Sequence, residues 1–278
     1  MVVNQLKTVI LLGLLTALLL WVGQLLGGIS GLYIAGFFAI LMNFGSYWFS
    51  DKIVLAMYRA KEVKDDSHPL YKIVKEIVEL EKMPMPKIYT IPSEQANAFA
   101  TGRNPDHAAI AATEGILSLL NKEELKGVMA HEIAHVKNRD ILISTIAGTI
   151  AGVISYIATM AQWSAMFGGN RDRGNFLQLL VLAIITPLVA TIIQLAISRS
   201  REYLADATGA KTLRDSSGLA SALDKLHNDA KKHPMMLGNN ATAHLFISNP
   251  FKNRGILALL STHPPMHERI GRLKSMKF

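Results

Sequence analysis

The chain has 278 residues, of which 50% are hydrophobic, with no cysteine and a formal net charge of +8. A mean hydropathy of +0.26 is high for a water-soluble globular protein and indicates a membrane protein. The lack of cysteine excludes disulfides and thiolate ligands, so any metal must bind to His, Asp or Glu. The positive excess is typical of residues retained beside membrane segments. No basic run interleaved with aromatic residues occurs, so nucleic acid is not an expected partner.

The first fifty residues predict a transmembrane hairpin, region 1–50. Thr8 to Ser50 contain no charged residue, and the glycine-rich turn Gly27 to Gly31 divides them into two parts of nearly 20 residues each. We expect the spans Leu6 to Leu26 and Leu32 to Phe49. A cleaved signal peptide is the alternative for the first span, because Lys7 precedes a leucine-rich run. Aromatic residues expected at the membrane interfaces are Trp21, Tyr47 and Trp48.

Residues 51–140 read as a folded region outside the membrane. Apolar residues at helical spacing predict a helix from Pro69 to Lys82, and Lys87 to Ile91 predict a short strand. Two more strands are predicted at Asn97 to Gly102 and at His107 to Thr113. The edge of such a small sheet can bind an extended peptide through backbone hydrogen bonds. The alternative is that these strands only cover the core.

His131, Glu132 and His135 form the pattern His-Glu-x-x-His, which is typical of a helical zinc site. Asn121 and Glu124 have the spacing of a capping box, so a helix is expected from Lys122 to about Asn138. Residues i and i+4 share a helix face, so both histidines can bind one metal ion. Zinc lowers the pKa of a bound water from about 15.7 toward about 7, and the adjacent carboxylate can accept the proton. The alternative is a solvated helix with incidental histidines.

Two more uncharged stretches, Ile141 to Asn170 and Gly174 to Ser198, predict a second transmembrane hairpin, region 141–198. A buried or partly interfacial hairpin is the alternative, because Thr, Ser and Gln lower its apolar content. An antiparallel hairpin returns the chain to the side that it left. Glu202, in the second folded region 199–278, can therefore lie beside His135, although the two are 67 positions apart (202 − 135).

Glu202 and Asp206 are spaced i and i+4, so their carboxylates share one helix face. This pair suits one metal-ligating oxygen and one acceptor for a histidine N–H. The alternative is a solvated acidic face. The hairpin favours the metal site, because it places these residues where a third ligand is needed.

Four motifs in order resemble one known family: His131 to His135, Ser200 to Asp206, Asn97 to Gly102 and Ser261 to Pro265. Together with the four apolar spans, they resemble the HtpX heat-shock membrane metalloproteases, which are related to the zinc-dependent CAAX prenyl proteases. The resemblance covers nearly the whole chain. The ordered set of motifs is far more specific than the five-residue motif alone.

The resemblance implies a mainly α-helical integral membrane protein with four transmembrane helices and a cytoplasmic α+β zincin-like domain of the gluzincin type. It implies a zinc endopeptidase of the bacterial inner membrane that faces the cytoplasm and cleaves misfolded or damaged membrane proteins in quality control and the stress response. One Zn²⁺ per chain, protein substrates and the lipid bilayer are the expected partners. The implied roles are zinc ligands His131, His135 and Glu202, general base Glu132, ligand-orienting Asp206, and substrate edge Asn97, Ala98, Phe99 and Ala100.

His263 and Arg269 form a further candidate pair, similar to one that acts beside the metal in the prenyl proteases. Pro264 and Pro265 restrict the backbone after His263, so its imidazole can be held ready to donate to the developing oxyanion. Arg269 is expected to fix its orientation. The alternative is a histidine that caps the last helix.

Two other functions fit parts of the sequence. One is a protease with its metal inside the bilayer, but Lys126, Lys137 and Arg139 near the motif are costly at that depth. The other is a non-enzymatic membrane scaffold or transporter with a structural zinc, which four protein ligands would normally close. The sequence assigns no role to Met235 to Arg254.

Overall fold

A computed structural model of the chain describes residues 2–144, 146, 199–232, 245–247 and 264–278. His263, almost all of the second predicted hairpin and most of Met235 to Arg254 lie outside these residues. The described part is mainly helical with one four-stranded sheet. Its helices are α1 (Val2–Met57), α2 (Pro69–Glu81), α3 (Glu114–Leu119), α4 (Lys122–Lys137), α5 (Arg199–Leu213), α6 (Ser217–Lys232) and α7 (Met266–Lys274), and its strands are β1 (Lys61–Glu62), β2 (Lys87–Ile91), β3 (Ala98–Gly102) and β4 (Ala108–Thr113).

Helix α1 consists of two arms that meet at Gly28, within the predicted turn. Gly28 has φ +59° and ψ −141°, a conformation that only glycine adopts readily. Beyond this kink the second arm folds back on the first, since the Asn43 side-chain amide donates to the Thr16 hydroxyl at 2.8 Å. The two arms therefore run antiparallel, with their outer ends on the same side.

In the described part of the chain, one helical stretch is long and apolar enough to cross a bilayer, namely Gly28–Gly45 in the second arm. The first arm, where we expected a full span from Leu6 to Leu26, contains the shorter apolar stretch Leu12–Trp21. Both spans of the second hairpin lie outside the described residues. The presence of four transmembrane helices thus stays a prediction.

The sheet has the strand order β1-β2-β4-β3. β2 pairs with β4 in parallel, and β3 pairs with β4 in antiparallel orientation. The three strands predicted from the sequence are confirmed within one residue of their expected bounds. The two-residue strand β1 pairs Lys61 with Thr90 and is too short to leave a period-2 pattern, so it was missed. β3 forms one edge of the sheet and is buried along its whole length.

Helices α2 and α4 begin at the predicted residues, Pro69 and Lys122. The capping box of α4 is present, with Asn121 accepting from the Glu124 N–H and Glu124 accepting from the Asn121 N–H, each at 2.9 Å. α2 begins with Pro69 at its first position, and the His68 ring accepts from the Leu70 N–H at 3.2 Å. His68 was expected to be a plain loop residue, but it is the N-cap of this helix.

Helix α4 lies at the centre of the folded region and packs against α2, α5, α6 and β3. The close approach of α5 depends on Gly209, where a Cβ atom would lie 2.9 Å from the backbone of Ala130 and His131. Gly127 serves the same purpose toward α6, since a Cβ there would lie 2.6 Å from the Leu219 nitrogen. The helix that carries the His-Glu-x-x-His pattern is thus held by backbone-level contacts on two sides.

Candidate active site

Three potential metal ligands meet between α4 and α5. The Nε2 atoms of His131 and His135 are 3.1 Å apart. Glu202 lies opposite, with one carboxylate oxygen 3.8 Å from His131 Nε2 and the other 3.5 Å from His135 Nε2. Glu202 thus lies beside His135, as predicted from the sequence, and beside His131 as well.

These separations fit a single zinc ion. Two ligands bonded to tetrahedral zinc at about 2.0–2.1 Å lie roughly 3.3 Å apart, close to the three observed distances. The ring orientations fit as well, because each Nδ1 faces a carboxylate, which leaves the lone pairs of both Nε2 atoms available to a shared cation. One ligand atom from each of His131, His135 and Glu202 can lie within 4.8 Å of the others.

Each histidine is oriented by a carboxylate on its other nitrogen. Asp206 Oδ1 lies 2.9 Å from His131 Nδ1, and Asp140 Oδ2 lies 3.1 Å from His135 Nδ1. This is the carboxylate-histidine arrangement that fixes the tautomer of a metal-binding imidazole. Asp206 is where the i, i+4 spacing predicted it. Asp140 had been considered only as a substitute ligand, and its position just beyond the end of α4 was the signal that could have revealed it.

Arg269 from α7 contacts the two carboxylates of α5 and is completely buried. Its Nε and Nη2 atoms donate to the two oxygens of Asp206 at 2.8 and 2.7 Å, and its Nη1 lies 3.2 Å from Glu202. Arg269 therefore places one positive charge between the two carboxylates that α5 contributes. Arg269 was expected to orient His263, which lies outside the described residues, and its contact with Asp206 was not predicted.

Burial by itself raises the pKa of Asp206, but the Arg269 charge and the hydrogen bonds from His131 and Arg269 hold that pKa below its ordinary value. Burial by itself lowers the pKa of His135, yet the Asp140, Glu202 and Glu132 charges raise it to about 10. The site is thus strongly negative around His135. A divalent cation can replace the proton there, since a metal ligand must be a neutral imidazole.

Glu132 lies in the same cleft beside the histidines and is 2% exposed. Burial raises the pKa of Glu132 above its ordinary value, although His131, His135 and the backbone N–H of Ala100 act in the opposite direction. A carboxylate with a raised pKa is a stronger base and accepts a proton more readily near neutral pH, as general-base catalysis requires. Its contact with Ala100 also joins α4 to the edge strand β3.

The four residues predicted as the substrate edge divide by position. Ala100 lines the cleft, while Phe99 points to the other face of the sheet and packs with Tyr58 and Phe246. Asn97 is completely buried, and its N–H donates to the Thr113 hydroxyl at 2.8 Å. Of this predicted set, Ala100 is therefore the residue that lines the cleft.

A segment that the sequence left without a role closes one side of the cleft. Leu245, Phe246 and Ile247 line it, and the Ile247 N–H donates to the Ala98 carbonyl at 3.2 Å. The Ile247 carbonyl in turn accepts from Arg269 Nη1 at 3.1 Å. These three residues lie within Met235 to Arg254 and extend the sheet edge by one hydrogen bond. Arg201 also lines the cleft, on the side of Asp140.

Comparison with known proteins agrees with this geometry. Residues 64–277 match the model of peptidase family M48. The chain is 55% identical to a protein named "Protease HtpX homolog" from Syntrophotalea carbinolica, over 98% of this chain and 99% of that one. A second protein of that name, from Pyrococcus furiosus, is 49% identical over 97% and 95% of the two chains.

A solved structure also resembles the fold. The crystal structure of S. mikatae Ste24p matches 98% of this chain with a TM-score of 0.52 and 21% sequence identity. This chain spans 66% of that longer protein. At this identity the likeness extends to the fold alone. The family match and the near-complete relatives, together with a His/His/Glu cluster fit for a metal, give one conclusion: the chain belongs to peptidase family M48 and is a metalloprotease of the HtpX group.

Proposed function

We propose that the protein is a membrane-anchored zinc endopeptidase whose metal is held by His131, His135 and Glu202. The observation on which this rests is that three donor groups from two helices converge at the spacing of a zinc site, with a buried carboxylate beside them. The donor set favours zinc because two imidazoles and one carboxylate are the ligands of many catalytic zinc sites, which keep a fourth position open.

When bound, zinc would supply a water of lowered pKa and polarise the scissile carbonyl. Glu132 accepts the proton of the attacking water and later delivers it to the leaving amine. Asp206 and Asp140 keep both imidazoles in the tautomer that presents Nε2 to the metal. Arg269 helps to hold the pKa of Asp206 below its ordinary value and lies 3.2 Å from Glu202. His263 remains our proposed donor to the developing oxyanion.

The substrate is proposed to bind as an extended peptide along β3. Ala100 supports this, because its backbone lies in the cleft beside Glu132 and a peptide added to this edge would bring its carbonyl groups toward that carboxylate. Ile247 donates to the Ala98 carbonyl, so a peptide bound along β3 would lie next to that residue. A bound peptide would then be aligned with the catalytic groups by its backbone and not by its sequence.

Misfolded or damaged membrane proteins are the proposed substrates. The protease itself is proposed to cross the bacterial inner membrane four times, with its active site on the cytoplasmic side. The apolar stretch Gly28–Gly45 supports the anchoring. The outer ends of the hairpin carry Lys7, Lys52 and Arg59, which favours the cytoplasm for that side. A protease held at the membrane surface meets segments of membrane proteins that have left the bilayer.

The test is a cleavage assay on detergent-solubilised protein, with casein as an unfolded soluble substrate and a destabilised membrane protein as the second substrate. We expect about one zinc per chain by mass spectrometry of metals, loss of cleavage on chelation, and recovery with added zinc. The membrane substrate should be cut faster at equal concentration. Cleavage that persists after the metal has been removed would contradict the proposal, and equal rates on both substrates would contradict the substrate class alone.

A further inference from the structure

A second cavity lies away from the catalytic cleft, at the junction of α1, β2 and the loop between β3 and β4. It measures about 390 Å³, which is within the usual range of small-ligand sites. Its lining combines two aromatic rings from the end of α1 with charged groups from all three elements. The charged lining residues are Asp51, Lys52, Lys87, Arg103 and Asp106, with His107 beside them.

The position of the cavity relative to the apolar span is informative. Tyr47 and Lys52 lie 2 and 7 residues after Gly45, the last residue of the apolar stretch (47 − 45 and 52 − 45), and Asp51 is the first charged residue after it. At 1.5 Å per helical residue, this part of the wall lies about 3–10 Å beyond the hydrocarbon core. The head groups of a bilayer occupy a layer of roughly this depth on each side. The cavity therefore lies at head-group level if Gly28–Gly45 spans the membrane.

The aromatic residues agree with that level. Tyr47 and Trp48 are 38% and 43% exposed and pack edge to face at 5.3 Å, as expected of an aromatic belt at a membrane interface. The Arg103 guanidinium lies 4.5 Å above the Trp48 ring, so a cation from the β3–β4 loop is held against the end of α1. This contact fixes one charged group of the cavity in place.

The charges in the lining select the ligand chemistry. Lys52, Lys87 and Arg103 can bind a phosphate, for which Arg and Lys are the usual partners. Asp51 and Asp106 would repel a purely anionic ligand, but they can bind an ammonium group. A head group with both a phosphate and a primary ammonium satisfies both sets, whereas one with a phosphate and neutral hydroxyls leaves the carboxylates without a cation.

We propose that this cavity binds a zwitterionic phospholipid head group of the phosphoethanolamine type, with its phosphate at Lys87 and Arg103 and its ammonium at Asp106. The acyl chains then run along the exposed apolar surface of the second arm of α1. The site fixes the height and tilt of the catalytic region above the bilayer. It belongs to a surface that the catalytic mechanism does not use.

Native mass spectrometry of the intact protein in detergent tests the proposal. Dioleoyl-phosphatidylethanolamine should remain bound with a stoichiometry of one, at least tenfold tighter than dioleoyl-phosphatidylglycerol. The double variant Lys87→Ala/Arg103→Ala should weaken this binding at least tenfold. Its matched control is Lys75→Ala/Lys122→Ala, which removes the same charge from exposed positions on α2 and α4 and should bind as the parent does.

Asp106→Asn separates the two parts of the head group. It should weaken the binding of phosphatidylethanolamine and leave the affinity for phosphatidylglycerol unchanged or higher. The ratio of the two affinities should therefore decrease. Inorganic phosphate is the third probe, because a site for free phosphate would be saturated by it without any lipid. Displacement of the lipid by millimolar phosphate, equal binding of both lipids, or equal loss in the control variant would each overturn the proposal.

Discussion

At the scale of single residues, the site consists of pairs in which one side chain is a candidate metal ligand and a second side chain orients it or compensates its charge. The imidazoles of His131 and His135 are each oriented by a carboxylate, and Glu202 is neutralised by Arg269. Glu132 differs, because it contacts the backbone of Ala100 and has no side-chain cation of its own among the contacts described. The acting groups can therefore be tested one at a time.

Glu132→Gln is expected to abolish cleavage and to leave the metal bound. The amide retains the size of the side chain and an acceptor for the Ala100 N–H, but it cannot take up a proton, and loss of a general base costs about 10²–10⁴ in turnover. Metal content and kcat for casein cleavage are the measurements. Glu123→Gln, an exposed carboxylate on the same helix, is the control and should retain both. Loss of zinc in Glu132→Gln would show that Glu132 is a ligand.

Glu202→Gln and Asp140→Asn should both lower the affinity for zinc, and Glu202→Gln should lower it more. Removal of a direct ligand should leave most of the protein without zinc at micromolar metal. Removal of the carboxylate that orients His135 should weaken zinc binding by roughly 10–100-fold. Competition with a chromogenic zinc chelator measures both affinities. If Asp140→Asn loses as much as Glu202→Gln, Asp140 must bind the metal itself.

At the scale of elements, the geometry of the site depends on how closely α5 approaches α4. Gly209 allows this approach at the level of His131, and Glu202 and Asp206 lie within two turns on the same helix. Any side chain at position 209 would push the helices apart, because the obstructing atoms belong to the backbone of α4. Metal binding should therefore be sensitive to a residue that touches no ligand.

Gly209→Ala should lower zinc affinity and thermal stability together, since a Cβ at 2.9 Å from two backbone atoms and 3.0 Å from a third requires the helices to separate. Gly271→Ala on α7 is the matched control, because nothing lies within 4 Å of its Cβ position. The control should gain up to about 1 kcal/mol from helix propensity. Zinc titration and circular dichroism melting in detergent decide. A Gly209→Ala protein with unchanged affinity would mean that α4 and α5 can adjust.

The N-terminus of α4 predicts a pH dependence. Burial on its own raises the pKa of Glu124, but hydrogen bonds from Lys225, Ser221 and the Asn121 backbone outweigh it, so the pKa lies below 4.5. A group with a depressed pKa stabilises the fold above its unfolded pKa. That contribution is lost as pH falls through the folded value.

Glu124→Gln should lower the melting temperature by about 2–4 °C near pH 7, which corresponds to roughly 1 kcal/mol. The difference from the parent should begin to shrink as pH falls below the unfolded pKa of about 4.5 and should vanish below the lower folded pKa, where the parent has also lost its charge. Melting curves from pH 3 to pH 8 provide the test, with the exposed Glu79→Gln as control. A difference that stays constant over this range would exclude the charge as the cause.

Local signals predicted most of the elements but few of the contacts between them. α2 was found because of its apolar spacing and α4 because of its capping box, and β2, β3 and β4 because turn residues separate them. β1 was missed because its pairing depends on β2, and α3 because a six-residue helix carries little periodic pattern. The contact of Arg269 with Asp206 spans 63 positions and leaves no local trace (269 − 206).

At the scale of the whole molecule, the proposal requires that the catalytic region lies on the cytoplasmic side. Because the chain has no cysteine, single cysteines can report this without a background. Ser118→Cys lies on the exposed surface of α3, and Ser30→Cys lies in the exposed turn between the two arms of α1. The two positions are predicted to face opposite sides of the membrane.

A membrane-impermeant maleimide applied to intact cells should therefore label Ser30→Cys and spare Ser118→Cys. Both should react after the cells are permeabilised. Labelling of Ser118→Cys in intact cells would place the catalytic region outside. Failure of Ser30→Cys to react in intact cells would indicate that the hairpin does not reach the outer surface.

The burial of Arg269 also has a consequence for biogenesis. During synthesis the chain exposes Glu132 first, and the arginine that contacts Glu202 and Asp206 emerges 137 residues later (269 − 132). Until then the two acidic side chains of α5 would face one another without their cation, and burying them in that state is costly. Nearly the whole chain must therefore be synthesised before the contacts of Arg269 with Glu202 and Asp206 can form.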